Sequence, residues 1–92
     1  MILTLEEMKQ YLRLDTEDED TLLETLMSAA EQLCADIIRI SVCELEDMMD
    51  DKIRTAVLFA TAYLFEHREE ADHHALTITL RSMLFGVRRE GF

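Results

Sequence analysis

LLETLMSAAEQLCADIIRI, residues 22–40, is the stretch from which the fold follows. Advancing 100° per residue from Leu22 gathers Leu22, Leu23, Leu26, Met27, Ala29, Ala30, Leu33, Cys34, Ile37, Ile38 and Ile40 into one arc of about 180°. Glu24, Thr25, Ser28, Glu31, Gln32, Asp36 and Arg39 fill the other half, and only Ala35 falls among them. This spacing predicts a long amphipathic helix. The apolar arc is wider than one neighbouring helix covers, so at least two partners are expected, within the chain or in another subunit.

Immediately before it stands DTEDEDT, Asp15 to Thr21, with five acids in seven residues. A calcium loop starting at Asp15 would need glycine at its sixth position and glutamate at its twelfth. Asp20 and Leu26 occupy those places. As a helix opening the stretch is coherent. Thr16 and Glu19 have capping-box spacing, and Glu17, Asp18 and Asp20 would then sit where the helix dipole favours acids.

Working outward, Thr4 and Glu7 form a first capping box, and Leu5, Met8 and Leu12 share one face of a helix expected to fade near Arg13 or Leu14. Ser41 to Leu45 lacks helical spacing and reads as a connector, open to an extended form. Glu44, Glu46, Asp47, Asp50 and Asp51 precede a third helix whose middle, Ala56 to Phe65, carries no charge. A helix apolar all round is buried on every side, partly against a neighbouring subunit in so small a chain. ALTITL, residues 75–80, alternates with period two and allows a short extended piece. Leu80, Met83, Leu84 and Val87 then take helical spacing, with Gly86 placed to end that helix. With no proline and only two glycines, turn-rich strand folds are disfavoured. The expectation is an all-α fold, a small bundle of about four helices with two long central ones. Residues 1–92 would form one domain, with 87–92 as a C-terminal tail that is either frayed or anchored in a partner.

The composition, 49% hydrophobic and 32% charged, is that of a globular chain. No apolar run approaches the ~20 residues of a membrane span, and MILTLEE does not read as a signal peptide. Cys34 and Cys43 lack CxxC spacing and are read as buried free thiols. The net charge of −11 resides wholly in residues 1–50, with 14 acids against 3 bases, while residues 51–92 hold 6 of each. Such a chain brings negative charge to phosphates, which argues against general nucleic-acid binding and for a protein partner.

Catalytic signatures are weak. His67, His73 and His74 complete no zinc ligand set, and no HExxH occurs. Glu66, Glu69, Glu70 and Asp72 raise a magnesium-dependent nucleotide hydrolase, which needs acids on a facing helix. No phosphate loop or nucleophile elbow exists, and Ser28, Ser41 and Ser82 have no histidine at a suggestive position. The expectation is a non-enzyme with no catalytic, cofactor-binding or metal residues and no cofactor. Phe59, Tyr63 and Phe65 point different ways around one helix, so at least one is expected at an interface. Arg81, Arg88 and Arg89 either complement the last helix dipole or meet an acidic surface.

Three ordered segments carry a resemblance. They are LTLEEMKQYLRLDTEDEDTLLETLMSAAE, IRTAVLFATAYLFEHREE and LRSMLFGVRREGF, about two thirds of the chain together. In order and spacing they resemble the head–tail connector (adaptor) family of tailed phages and prophages. The resemblance implies a structural virion protein at the head–tail interface, present in the host cytoplasm during assembly. Its subunits would form a homo-oligomeric ring under the portal protein, extend the DNA channel and dock the next head-completion or tail protein. DNA would only pass through, and no membrane would be involved. Carried over by position, the interface residues are Phe59, Tyr63, Phe65, Arg81, Phe85, Arg88, Arg89 and Phe92. The sequence departs from the family at 70–79, where relatives commonly carry proline or glycine. Two other readings remain open, a small acidic regulator (antitoxin-like or DNA-mimicking) and the metal-dependent hydrolase.

Overall fold

Five α-helices and no strand form among the described residues of the computed structural model, which are 2–48, 50–67, 69–70 and 72–84. They are α1 (Leu5–Leu12), α2 (Asp20–Ile38), α3 (Val42–Met48), α4 (Asp51–Glu66) and α5 (His73–Leu84). The all-α expectation holds, with α2 and α4 the longest elements. The helix beyond the expected four is α3.

Helix α1 opens as its sequence dictates. The Thr4 hydroxyl accepts from Glu7 N–H at 3.1 Å, and Glu7 Oε1 accepts from Thr4 N–H at 3.0 Å. Its end also falls where expected, with Arg13 in the left-handed conformation at φ 60°. The start of α2 differs from the reading. Glu19 is its N-cap residue without a side-chain cap bond, so the Thr16–Glu19 box does not form and only Asp20 lies in the first turn. Lys9 Nζ holds Asp20 Oδ1 at 2.9 Å, which fixes the helix start against α1. Asp15, Glu17 and Asp18 stay exposed in the preceding loop.

Two further corrections concern elements read as irregular. Ser41 and Glu44 form their own reciprocal cap, each backbone N–H donating to the other's side chain at 3.2 Å. Residues 42–48 are therefore helical rather than a connector, and Glu44, Glu46 and Asp47 lie inside α3. ALTITL is helical too. The Thr77 and Thr79 hydroxyls donate to the carbonyls of His73 and Ala75 at 2.7 and 3.0 Å, so both find partners within the helix. Helical spacing then sends Leu76, Leu80 and Leu84 inward and leaves Ile78 exposed. The turn before α5 needs neither proline nor glycine. Tyr63 Oη accepts from Asp72 N–H at 3.1 Å, and Asp72 Oδ1 accepts from Ala75 N–H at 3.0 Å. The expected cap at Gly86 lies outside the described residues.

Helix α2 packs along α4, α5 lies against both, α3 leans on α2, and α1 touches α2 and α4. The several partners expected for α2 are thus found within one chain. Its buried stripe is Leu23, Met27, Ala30, Glu31, Cys34, Ala35 and Ile38, rotated from the centre of the apolar arc. Leu22 and Ala29 are exposed, and Leu26, Leu33 and Ile37 are half-buried. Glu31, only 3% exposed, is turned inward because Oε2 accepts the Ile2 N–H. The Ile2 carbonyl accepts from Arg54 Nη1 at 3.2 Å, and Arg54 Nη2 donates to Glu7. This joint seats Leu3 and Met8 in the core beside Ile53, Ala56, Val57 and Ala60. Full burial of a leucine such as Leu80 contributes about 2 kcal/mol. Helix α4 is not enclosed on every side, since Leu58, Phe59, Tyr63 and Phe65 remain half-buried in the single chain.

Helices α1 and α2 both end on arginine in the left-handed region, where glycine is commonest. In each, the next residue closes a long bond, Leu14 N–H to Lys9 O at 2.9 Å and Ile40 N–H to Ala35 O at 3.0 Å. Leu14 and Ile40 then pack against the core. Ile40, placed on the helix by its spacing, follows the cap instead.

Two outcomes are expected in urea titrations. Arg39→Gly stabilises the fold by about 0.5–1 kcal/mol, since the strain of a side chain in this region outweighs glycine's entropic cost. Glu7→Gln destabilises it at neutral pH. The Thr4 N–H first, and Arg54 next, hold the Glu7 carboxyl below its usual value. That stabilisation is present above the unfolded pKa and lost as pH falls through the lowered folded one. The gap between wild type and variant should therefore close in acid.

Candidate subunit-interface surfaces

Residues 59, 63 and 67 recur every fourth position of α4 and its cap, so their rings share one line along the helix. Phe59 and Tyr63 lie 6.4 Å apart between ring centroids at 29°. Tyr63 and His67 stack at 4.3 Å and 20°. The His67 ring Nδ1 also lies 3.0 Å from the Tyr63 carbonyl oxygen. Tyr11, Leu12 and Arg13 from the end of α1 complete an open groove of about 550 Å³ over this line. Tyr11 is 54% exposed, a large aromatic surface for a single chain to leave in water.

The expected interface residues separate into distinct places. Phe59 and Tyr63 are brought together. Phe65, about 200° around α4 from Tyr63, packs partly into the core and lines a shallow pocket with Glu66, His67, Glu69 and Glu70. Arg81 belongs to a second groove of about 590 Å³ between α2 and α5, where Leu33, Ile37 and Leu84 supply apolar walls. Phe85, Arg88, Arg89 and Phe92 lie outside the described residues. Sequence reasoning missed His67 and Tyr11 as parts of the aromatic line. The four-residue spacing of Phe59, Tyr63 and His67 was the available signal for the first. Nothing local signalled the α2–α5 groove, whose walls come from segments about forty residues apart.

Chemically these surfaces are poor in reactive groups. Among the described residues, no three His, Cys, Asp or Glu side chains gather to hold a metal ion. Cys34 is buried as read, but Cys43 is exposed on α3, because the helix read as a connector turns that position outward. Burial first, and the charge of Glu31 second, push the Cys34 thiol up to about 12. It is neutral and shielded, the opposite of an activated nucleophile. No helix of the described residues is long and apolar enough to cross a membrane.

The class defined by the fold is a small all-α scaffold with half-open apolar flanks. The chain matches the model of the Phage gp6-like head-tail connector protein family over residues 2–90, and it belongs to that family. Its role is accordingly that of a phage head–tail connector, a structural component of the head–tail junction of the virion. No curated protein and no solved structure matches the chain.

The two thiols should separate under alkylation at mildly alkaline pH. Mass spectrometry is expected to find Cys43 modified in the native protein and Cys34 modified only after unfolding. Equal labelling of both in the native state would contradict the burial of α2's inner stripe.

Proposed function

We propose that copies of this chain close into a ring beneath the portal vertex, extend the DNA channel, and offer a docking surface to the next head-completion or tail protein. The observation that carries this reading is the line of Phe59 and Tyr63, roofed only in part by Tyr11 and open to a groove on the flank of α4. Aromatic anchors of this kind gain most when a partner excludes water from them. Residues 1–92 act as one connector domain on this reading. Exposed acids of α2 and α3, such as Glu24, Glu44 and Asp47, face the lumen, where negative charge lets DNA pass without adhering. Arg81 and the C-terminal Phe85, Arg88, Arg89 and Phe92 serve docking on the portal or an adjacent subunit. The subunit waits in the host cytoplasm until assembly and catalyses nothing.

Electron microscopy of the purified protein, alone and mixed with a portal, is expected to show rings coaxial with the portal. Tyr63→Ala should weaken ring formation by about tenfold or more, the scale of one interface anchor. Protein that stays monomeric at high concentration and ignores the portal would overturn the proposal.

A further inference from the structure

The outer edge of α2 carries an apolar stripe along nearly its whole length. Leu22 is 36% exposed, Leu26, Leu33 and Ile37 are half-buried, and Ala29 between them is exposed. At 100° per residue these positions fall within about 80° of arc, beside the inner stripe that the rest of the chain buries. On the solvent side the stripe is bordered by Thr25, Gln32 and Asp36, all exposed, and only the last is charged. Gln32 Nε2 donates to Asp36 Oδ1 at 2.8 Å.

The stripe reads alike from either end. Leu22 and Leu26 stand four residues apart near the start of the helix, Leu33 and Ile37 four apart near its end, and the small Ala29 lies midway. A two-fold contact demands this property, because each position must meet its mate in both directions at once. We propose that two copies of the chain pair through this edge with their α2 helices antiparallel. Leu22 of one copy lies against Ile37 of the other, Leu26 against Leu33, and the two Ala29 residues meet beside the two-fold axis. A methyl group at the crossing point lets the helix axes approach to about 8 Å.

The area agrees with a second copy as the occupant. Leu22 to Ile37 spans about 22 Å, and a helix about 10 Å across laid along it covers on the order of 500 Å² of accessible surface on each copy. Together the two copies reach about 1,000 Å², the least that a specific contact needs and the size of a weak one. This contact closes at two copies, whereas a ring needs one that propagates. The inference therefore goes beyond the ring reading and does not lean on it.

Sedimentation velocity on the full chain, over a range of concentrations, separates pairs from single copies and from rings. Wild type is expected to form pairs, and added salt should strengthen them, because two chains of net charge −11 repel each other. Ala29 is exposed, so a charge there leaves the fold intact by circular dichroism. Ala29→Glu and Ala29→Arg should each weaken pairing about tenfold or more, since like charges then face each other across the axis. An equimolar mixture of the two variants places opposite charges there and should pair again. Ala29→Glu should still form rings on a portal, and Tyr63→Ala should still form pairs. Variants that pair like wild type, a mixture that stays apart, or pairs dissolved by salt would overturn the α2 contact and leave the ring standing. Loss of portal rings in Ala29→Glu would overturn the separation of the two contacts.

Discussion

A buried carboxylate must find donors or forfeit several kcal/mol, and Glu31 finds one in the backbone of Ile2. That requirement organises the fold. The Ile2 peptide segment reaches from Glu31 on α2 to Arg54 on α4, and Arg54 continues to Glu7 on α1. Three helices and the N-terminal segment are thereby set in one register, with Leu3 and Met8 drawn into the seam. Polar specificity sits at the rim of this joint, while the apolar stripe of α2 supplies the bulk of the burial. With α2 and α4 fixed in this way, the half-buried flanks of both rods face outward, and those flanks carry the candidate interfaces.

The chain splits its long apolar arcs between core and surface. The inner edge of α2 is fully buried, whereas Leu26, Leu33 and Ile37 on its outer edge are only half covered. Helix α4 divides similarly between Ala56, Val57 and Ala60 inside and Phe59 and Tyr63 at the flank.

Much of this was legible in the residues, and the misses have physical causes. The Thr4–Glu7 box and the 3.6 period of α2 are local signals, and local interactions decided both. An arc of about 180° does not say which of its edges turns inward. The choice fell to Glu31 and its bond to Ile2, a contact across 29 residues. Ser41 and Glu44 carried a capping signature, obscured by the run of acids that reads as a preface to the next helix. ALTITL alternates like a strand, yet threonines can return their hydroxyls to the helix backbone, and packing of Leu76 and Leu80 overrides the period. Among the candidate interface residues, Phe59 and Tyr63 are expected to point different ways, yet their four-residue spacing lines them up along α4. The α2–α5 groove was not visible, because only tertiary packing brings Leu33 and Ile37 beside Arg81.

The faces where α2 and α4 bury themselves are rich in short side chains, Ala30, Cys34 and Ala35 on one and Ala56, Ala60 and Thr61 on the other. Groups with so few rotatable bonds have almost no alternative arrangement to adopt under stress. Where α2 and α4 meet, the packed pair therefore has little room to rearrange. For a chain at a head–tail junction, this ties the position of the α2 flank to that of the α4 flank.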